Sequence, residues 1–529
     1  MTTLGLYFNT LRYLKWSQIY WRLRYRLHQP KIAHQPPPFL RKTINAPRSF
    51  IQKSSVKIST TQYRFLNKME DISNASIWND KRLDKLWLYN LHYFDEYDQD
   101  LMLRWVDENP LGEGIGWEPY PLSLRMVNWI KYHLEGELLS SRMLESLAMQ
   151  ARYLMSRLEY HLLGNHLFSN AKALIFAGLF FQGQEADQWL RQGRKILNRE
   201  LQRQILSEGG HFELSPMYHA LILQDILDLI NVYYVYDQEI PAKWLMLVPQ
   251  MLSWLATLTY PNGRLAFFND SAMAIAPDID ALCQYAKNLS ISGKLNILRQ
   301  ADGYWRLQKA DLLLLADAAP IGANYLPGHA HADSLSFELL FNSQLIFINS
   351  GISTYANNAQ RIAERGTAAH NALTIDDQNS SEVWASFRVA RRARIFNVQF
   401  YEDCDNLVLR ASHDGYKRLR GHPLYTREWR LADSRLVIKD HVSGKGAHRI
   451  DLFYHLAPGI LARQTAEKQW SLYRDPVEFA RIVFQFDGHV SVRQTGYHAE
   501  FGRSDVNQTI VVSYIGKIPT EVLTEIIFI

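Results

Sequence analysis

The segment Gly328-His329-Ala330-His331-Ala332-Asp333 runs straight into an alternating stretch, Ser-Leu-Ser-Phe-Glu-Leu-Leu-Phe, at 334–341. On an extended backbone alternate residues share a face, so His329, His331 and Asp333 are predicted to project together. Three titratable groups on one face cost solvation unless they bind a metal, a substrate or each other. Three further clusters are rich in polar groups. Gly164-Asn165-His166-Leu167-Phe168-Ser169-Asn170 stands at a loop-to-helix junction. Glu208 to His219 sets two glycines, then Glu213 and Tyr218, at the start of a helix. Arg361, Arg365, Thr367, His370 and Asn371 crowd the fourth, where two arginines can clamp a carboxylate or sulfate bidentately. The blander readings are a capped helix start for Asn165, half-buried packing for Tyr218 and surface salt bridges for the arginines.

Together the clusters ask for an acidic, hydroxyl-rich ligand. Asn and neutral His hydrogen-bond a carboxylate, Tyr gives or takes a proton, and His is a base near neutral pH. Removing a proton α to a carboxylate requires that the carboxylate first be neutralised by fixed donors. The set Asn, His, Tyr, His therefore suits β-elimination across a uronic acid. A glycoside hydrolase would instead need two carboxylates facing across a cleft, with Glu213, Asp270 and Asp333 as candidates. The third alternative is a protein that binds acidic polysaccharide without cleaving it.

Absences narrow the field. There is no Gly-x-x-x-x-Gly-Lys-Ser/Thr loop, no His-Glu-x-x-His, no Cys-x-x-Cys and no Gly-x-Ser-x-Gly. Two cysteines, Cys283 and Cys404, exclude a disulfide scaffold and a Cys-based zinc site. A net charge of +5 over 529 residues does not argue for nucleic acid, though it suits an acidic polymer. Hydrophobic residues at 47% supply more than one core, and 14 Trp with 28 Tyr lean toward a sugar or base as ligand. No run approaches the ~18 apolar residues of a membrane span.

Positioning these groups takes three kinds of element. Residues 1–60 read as a basic, aromatic helical arm followed by a connector carrying Pro30, Pro36, Pro37, Pro38 and Pro47. The arm has no apolar core of a secretory signal, and can touch an anionic membrane surface. From 61 to 300, stretches at 120–137, 141–158, 169–181, 186–204, 218–236 and 242–260 repeat apolar residues every three or four positions. Six such segments with short breaks predict helical hairpins in series. From 301 to 529, ten or more short alternating segments without intervening helices predict an antiparallel β-sandwich. The fold class is thus α+β and multidomain: helical hairpins, then a sandwich.

Five motifs in order carry a resemblance. They are Trp-Glu-Pro-Tyr-Pro-Leu-Ser-Leu-Arg-Met-Val-Asn-Trp (117–129), Gly-Asn-His-Leu (164–167), Gly-Gly-His-Phe-Glu-Leu-Ser-Pro-Met-Tyr-His (209–219), His-Ala-His-Ala-Asp-Ser-Leu-Ser-Phe (329–337) and Ala-Ala-His-Asn-Ala-Leu (368–373). From about residue 60 onward the chain resembles the heparinase II/III-like polysaccharide lyases and their alginate-lyase relatives. The resemblance implies an (α/α) toroid, a β-sandwich and elimination on an acidic polysaccharide. It places Asn165 and His166 on the uronate carboxylate, Tyr218 as the proton carrier to the leaving oxygen, and His329 as its catalytic partner. Trp117 and His219, from the same motifs, join Arg361 and Arg365 as candidates for holding substrate. No nucleotide or redox cofactor is implied, but a structural zinc or calcium ion on His331, Asn349 and His370 is. Asn349 stands where the family has Asp, and a neutral amide is the poorer zinc ligand. The resemblance points to the cell envelope or periplasm, whereas the signal-less basic start favours the cytoplasm.

Overall fold

The computed structural model describes residues 3–27, 32, 34–53 and 55–529; Met1, Thr2, His28 to Lys31, Ala33 and Ser54 of the expected arm and connector lie outside the described residues. Among the described residues the helices are α1 (Thr3–Leu11), α2 (Trp16–Leu27), α3 (Lys85–Tyr93), α4 (Gln99–Glu108), α5 (Pro119–Leu134), α6 (Ser141–Ser156), α7 (Gly164–Phe180), α8 (Gln184–Gln204), α9 (Pro216–Val235), α10 (Ala242–Thr257), α11 (Ile279–Asn288) and α12 (Ala359–Glu364). Side-chain caps fix where several begin. Asp84, Asp98, Ser140, Ser215 and Asp278 each accept a backbone N–H from the first turn that follows. α3 and α4 are short and escaped the periodicity reading, as did α11. α7 is central: every residue from Gly164 to Phe180 is buried except His166. Its one lysine, Lys172, meets Asp225 and Asp228 of α9 at 2.6 Å, and Lys131 of α5 joins Asp228 at 2.6 Å. That buried network fixes α7 in rotation against α5 and α9, so the side chains of its first turn have a set direction.

From Gln300 the chain is mostly strands, but the expectation of no intervening helix fails at α12, a six-residue helix that Asn358 caps by accepting the Arg361 N–H. One antiparallel sheet of five spans Gln300–Ala301, Tyr304–Lys309, Leu312–Asp317, Phe337–Phe341 and Gln344–Phe347. An eight-stranded sheet begins at Ile395–Asp403, and a four-stranded one is built on Ala447–His455 and Asp505–Lys517. Their inner faces share one core, in which Leu314, Phe337, Trp429, Ile438, Leu452 and Ile510 are fully buried. A smaller cluster joins the two architectures, setting Trp254, Leu258 and Phe268 against Tyr304, Leu313 and Leu315. The result is an α-helical toroid followed by an antiparallel β-sandwich.

The connector runs extended over helix ends, with the Arg41 N–H on Phe180 O at 2.8 Å and the Ile44 N–H on Val235 O at 2.9 Å. α1 and α2 lie across both halves. Tyr7 packs edge-on to Trp384 of the sandwich at 4.9 Å, while Trp21 stacks on Tyr160 of the toroid at 5.0 Å. No helix among the described residues is long and apolar enough to cross a membrane.

Burial holds five structural histidines neutral. It pushes His92, His219 and His413 down to about 3, and His211 and His455 down to about 4. Unfolding frees each to take up a proton below its ordinary pKa of about 6.5, so the unfolded state binds more protons in that window. Stability is therefore full above pH ~6.5 and lost as pH falls, by about 1 kcal/mol per histidine per pH unit. His166 is shifted the other way, one group against the nine histidines that are lowered, these five among them. The melting temperature is expected to drop steeply between pH ~6.5 and ~5, and a flat profile in calorimetry would contradict this.

Candidate active site

The first wall of the site is the start of α7. Leu163 precedes it at φ 69° without a side-chain cap, and the N–H groups of Gly164, Asn165 and His166 have no acceptor among the described residues. The positive end of a buried helix with free N–H groups is suited to an anion. Asn165 does not cap the helix: its amide makes no hydrogen bond among the described residues and is 6% exposed. His166 is the one residue of α7 that reaches the surface, packed on Tyr120 at 4.5 Å. Its Nδ1 meets Glu159 Oε1 at 3.0 Å, and Glu159 is held in turn by the Asn170 amide at 3.0 Å. Burial opposes charge on His166, but Glu159, aided by Glu213, outweighs it and raises the pKa.

The second wall is the start of α9 and the loop at 328–331. Pro216 opens α9, Ser215 caps it by accepting the Tyr218 N–H at 3.1 Å, and Tyr218 falls in the first turn. Its ring stacks on His329, centroids 3.8 Å apart and planes 15° from parallel. Its hydroxyl lies 3.1 Å from that of Tyr355. Burial, reinforced by Tyr355, pushes the Tyr218 phenol well above its ordinary value, so it rests as the neutral proton donor. His329 Nδ1 is hydrogen-bonded to Glu213 Oε2, and Nε2 has no partner among the described residues. Burial raises Glu213, but His329, with His211 and His166, holds it below the usual carboxylate range. The two walls meet at Glu213, because a Cβ on Gly164 would stand 3.1 Å from its Oε1.

Behind the walls lies a buried clamp. Arg361 of α12 donates from Nη1 and Nη2 to Asp270 at 2.5 and 2.7 Å, and the Asp270 N–H bonds His329 O at 2.9 Å. Burial opposes the Asp270 charge; Arg361 and His331 overcome it and hold the carboxyl well below its usual range. Arg361 also lies beneath Tyr355, 4.8 Å from the ring centroid.

The expected strand face at 329–333 does not form. The strand begins at Phe337, Leu335 takes φ 62°, and 328–336 is irregular. His329 goes to the cleft, His331 to Asp270 at 2.7 Å, and Asp333 to the Asn269 N–H at 3.0 Å. As ligands for an ion, His331 Nδ1 and His370 Nε2 face each other at 3.2 Å, near the spacing of two corners of a zinc tetrahedron. Asn349 supplies no third corner. Its Oδ1 is 3.1 Å from His370 Nδ1, on the far side of that ring, and its Nδ2 is buried without a partner. Among the described residues no group of three or more His, Cys, Asp or Glu is placed to hold a metal. The donor set does not fit a closed structural site.

The four residues expected to hold substrate are elsewhere than the cleft surface. Trp117 is 4% exposed, packed on Trp105 and Tyr153 in the toroid core. His219 is fully buried, stacked on Trp254 at 4.4 Å, with Nε2 on Met251 O. Arg361 is consumed by Asp270. Arg365 is equally buried and spends its guanidinium on Ala330 O and Ala385 O. A buried arginine with satisfied donors cannot also clamp a ligand. Two residues of the site were missed as participants in elimination. Glu213 was weighed only as a hydrolase carboxylate, and Tyr355, a lone Tyr in a loop, gave no pattern at all.

The fold and cleft set the chain among proteins that pair an α-helical toroid with a β-sandwich. It belongs to the heparinase II/III-like family: the family models "Heparinase II/III N-terminus" and "Heparinase II/III-like, C-terminal" match residues 80–290 and 298–523. It is 26% identical over 328 residues to a heparin-sulfate lyase of Bacteroides stercoris, covering 57% of this chain and 47% of that one. A heparin-sulfate lyase of Pedobacter heparinus is 24% identical over 344 residues, covering 57% and 49%. The chain spans about half the length of the curated relatives it matches. The crystal structure of heparinase III superposes at a TM-score of 0.68 and 20% identity, over 84% of this chain and 76% of that one.

Proposed function

We propose that the chain is a polysaccharide lyase that cleaves a uronate-containing acidic polysaccharide by β-elimination. The observation that carries this is the pairing of a neutral Tyr218 with a His329 whose Nδ1 is tied to the Glu213 carboxylate. Such a bond leaves Nε2 as the lone pair facing outward, a general base by the logic of an oriented imidazole. The α7 N-terminus and Asn165 neutralise the uronate carboxylate. Nε2 of His329 takes the proton from C5, and the electron pair moves into the C4–C5 bond by way of the carboxylate enolate. The C4–O4 bond breaks, and Tyr218 gives its proton to O4. The products are a shortened chain with a free hydroxyl and a sugar unsaturated between C4 and C5. Relatives named heparin-sulfate lyases support this reaction class.

The hydrolase reading loses its geometry. Glu213 is paired with His329 and Asp270 with Arg361, while Asp333 is buried beside Asp317, each raised by burial. No two of them face each other as acid and base. The direct test is ultraviolet absorbance of the unsaturated product during incubation with a panel of acidic glycans. Binding without absorbance on every uronate polymer would leave a glycan-binding protein in its place. The same reading puts the chain at the cell envelope, where such polymers are assembled and trimmed, and fractionation of the source cells tests it.

Asn165→Ala is expected to lower turnover about 100- to 1,000-fold, the effect of removing one fixed donor from a developing oxyanion. The melting temperature should hold, because the amide bonds nothing among the described residues. Near-normal turnover would reduce the α7 start to scaffolding.

A further inference from the structure

The arm presents an outward face that its own fold leaves bare. On α2, Trp16, Tyr20, Leu23 and Leu27 recur at i, i+4, i+7 and i+11, one stripe of the helix. All four are exposed, Trp16 at 85% and Leu27 at 87%. On α1, Leu4, Phe8 and Leu11 form a second stripe, with Leu4 at 82% and Phe8 at 70%. These are not sides of a loose helix. The opposite face of α2 is anchored by buried Gln18, by Trp21 on Tyr160, and by Tyr25, whose hydroxyl donates to Leu158 O. Arg12, Arg22, Arg24 and Arg26 are exposed beside the stripes. Residues 1–69 hold 13 basic and no acidic residues.

We infer that this face docks on an anionic lipid bilayer, α1 and α2 lying in the interface with their apolar stripes in the headgroup layer. Apolar and aromatic residues on one side with arginines flanking them, and no acid, are the composition such helices need. The charge favours this occupant over a second copy of the chain, since two such faces would bring eight arginines together. The anchored face sits on residues 158–162, which lead into α7, and Gln18 approaches Tyr325 O, four residues before His329. The bilayer would therefore lie beside the rim of the cleft. This inference stands apart from the proposed reaction.

The test is flotation of the full chain with phosphatidylcholine vesicles, with and without phosphatidylserine. Flotation is expected with phosphatidylserine, falling off at high salt. The triple variant Arg22→Gln, Arg24→Gln, Arg26→Gln should lower partitioning on the order of 100-fold. The variant Leu23→Ser, Leu27→Ser, which keeps every charge, should also lose flotation. Leu23→Ser, Leu27→Ser should retain the wild-type melting temperature, because both side chains are exposed; the triple variant should lose little, because of its three arginines Arg24 alone meets the anchored face, 5.5 Å from the Trp21 ring centroid. Absence of flotation, or flotation indifferent to phosphatidylserine, overturns the inference. So does self-association in light scattering that Leu23→Ser, Leu27→Ser abolishes, which would make a second copy the occupant.

Discussion

Tyr218→Phe is expected to fold normally, to hold acidic glycan, and to lose turnover by ~10²–10⁴-fold. The ring stays, so its stacking on His329 and the Ser215 cap beneath it stay too. What goes is one hydroxyl, whose one partner among the described residues is the Tyr355 hydroxyl at 3.1 Å. Because burial holds the phenol neutral far above neutral pH, its loss removes the proton donor to O4. The leaving alkoxide then departs unprotonated, an expulsion that the site otherwise avoids. The measurement is the rate of chromophore formation at saturating glycan, beside a binding isotherm on the same polymer. Substantial elimination by the well-folded variant would sink the assignment of Tyr218 as the acid.

Glu213→Gln should be nearly as damaging, about 10²–10⁴-fold in kcat with KM little changed. Glu213 touches no substrate in this scheme; it positions His329. A carboxylate at Nδ1 requires the proton there and frees Nε2 as base. An amide can turn its NH₂ toward Nδ1, which moves the ring proton to Nε2 and disarms it. Two further readouts separate this from simple misfolding. Glu213→Asp should recover part of the rate, and the pH profile of the Gln variant should lose its ordinary basic-form dependence. Unchanged kcat in Glu213→Gln would show that His329 needs no orienting group, and would take the base role away from it.

The order of helices then strands was legible because the apolar spacing changes from three-and-four to two near residue 300. α5 to α10 were readable since each is long and buries a continuous stripe. α3 and α4 are nine and ten residues, too short to repeat a pattern more than twice. The site was legible only in part. Asn165, His166, Tyr218 and His329 stand in motifs whose polar residues interrupt apolar surroundings. Arg361 was read as a free clamp because its partner, Asp270, lies 91 residues away. The same distance hid the ion pair that takes it out of solvent. His329 and His331 were read as one face because the irregular path of 328–336, which becomes a strand only at Phe337, was not foreseen. Trp117 and His219 belong to the packing that holds the motifs in place, and a motif alone does not separate holding from touching.

The uneven charge of the arm also shows outside the membrane question. Residues 1–31 contribute six basic residues and no acidic ones, so a chain clipped after residue 31 changes from +5 to −1. Loss of about one seventeenth of the length thus reverses the sign of the whole molecule. On an ion exchanger at neutral pH, intact and clipped chains would part company, the first held by a cation exchanger and the second not. Proteolysis of the arm can in this way be read from elution position alone, ahead of any measurement of what the cleft does.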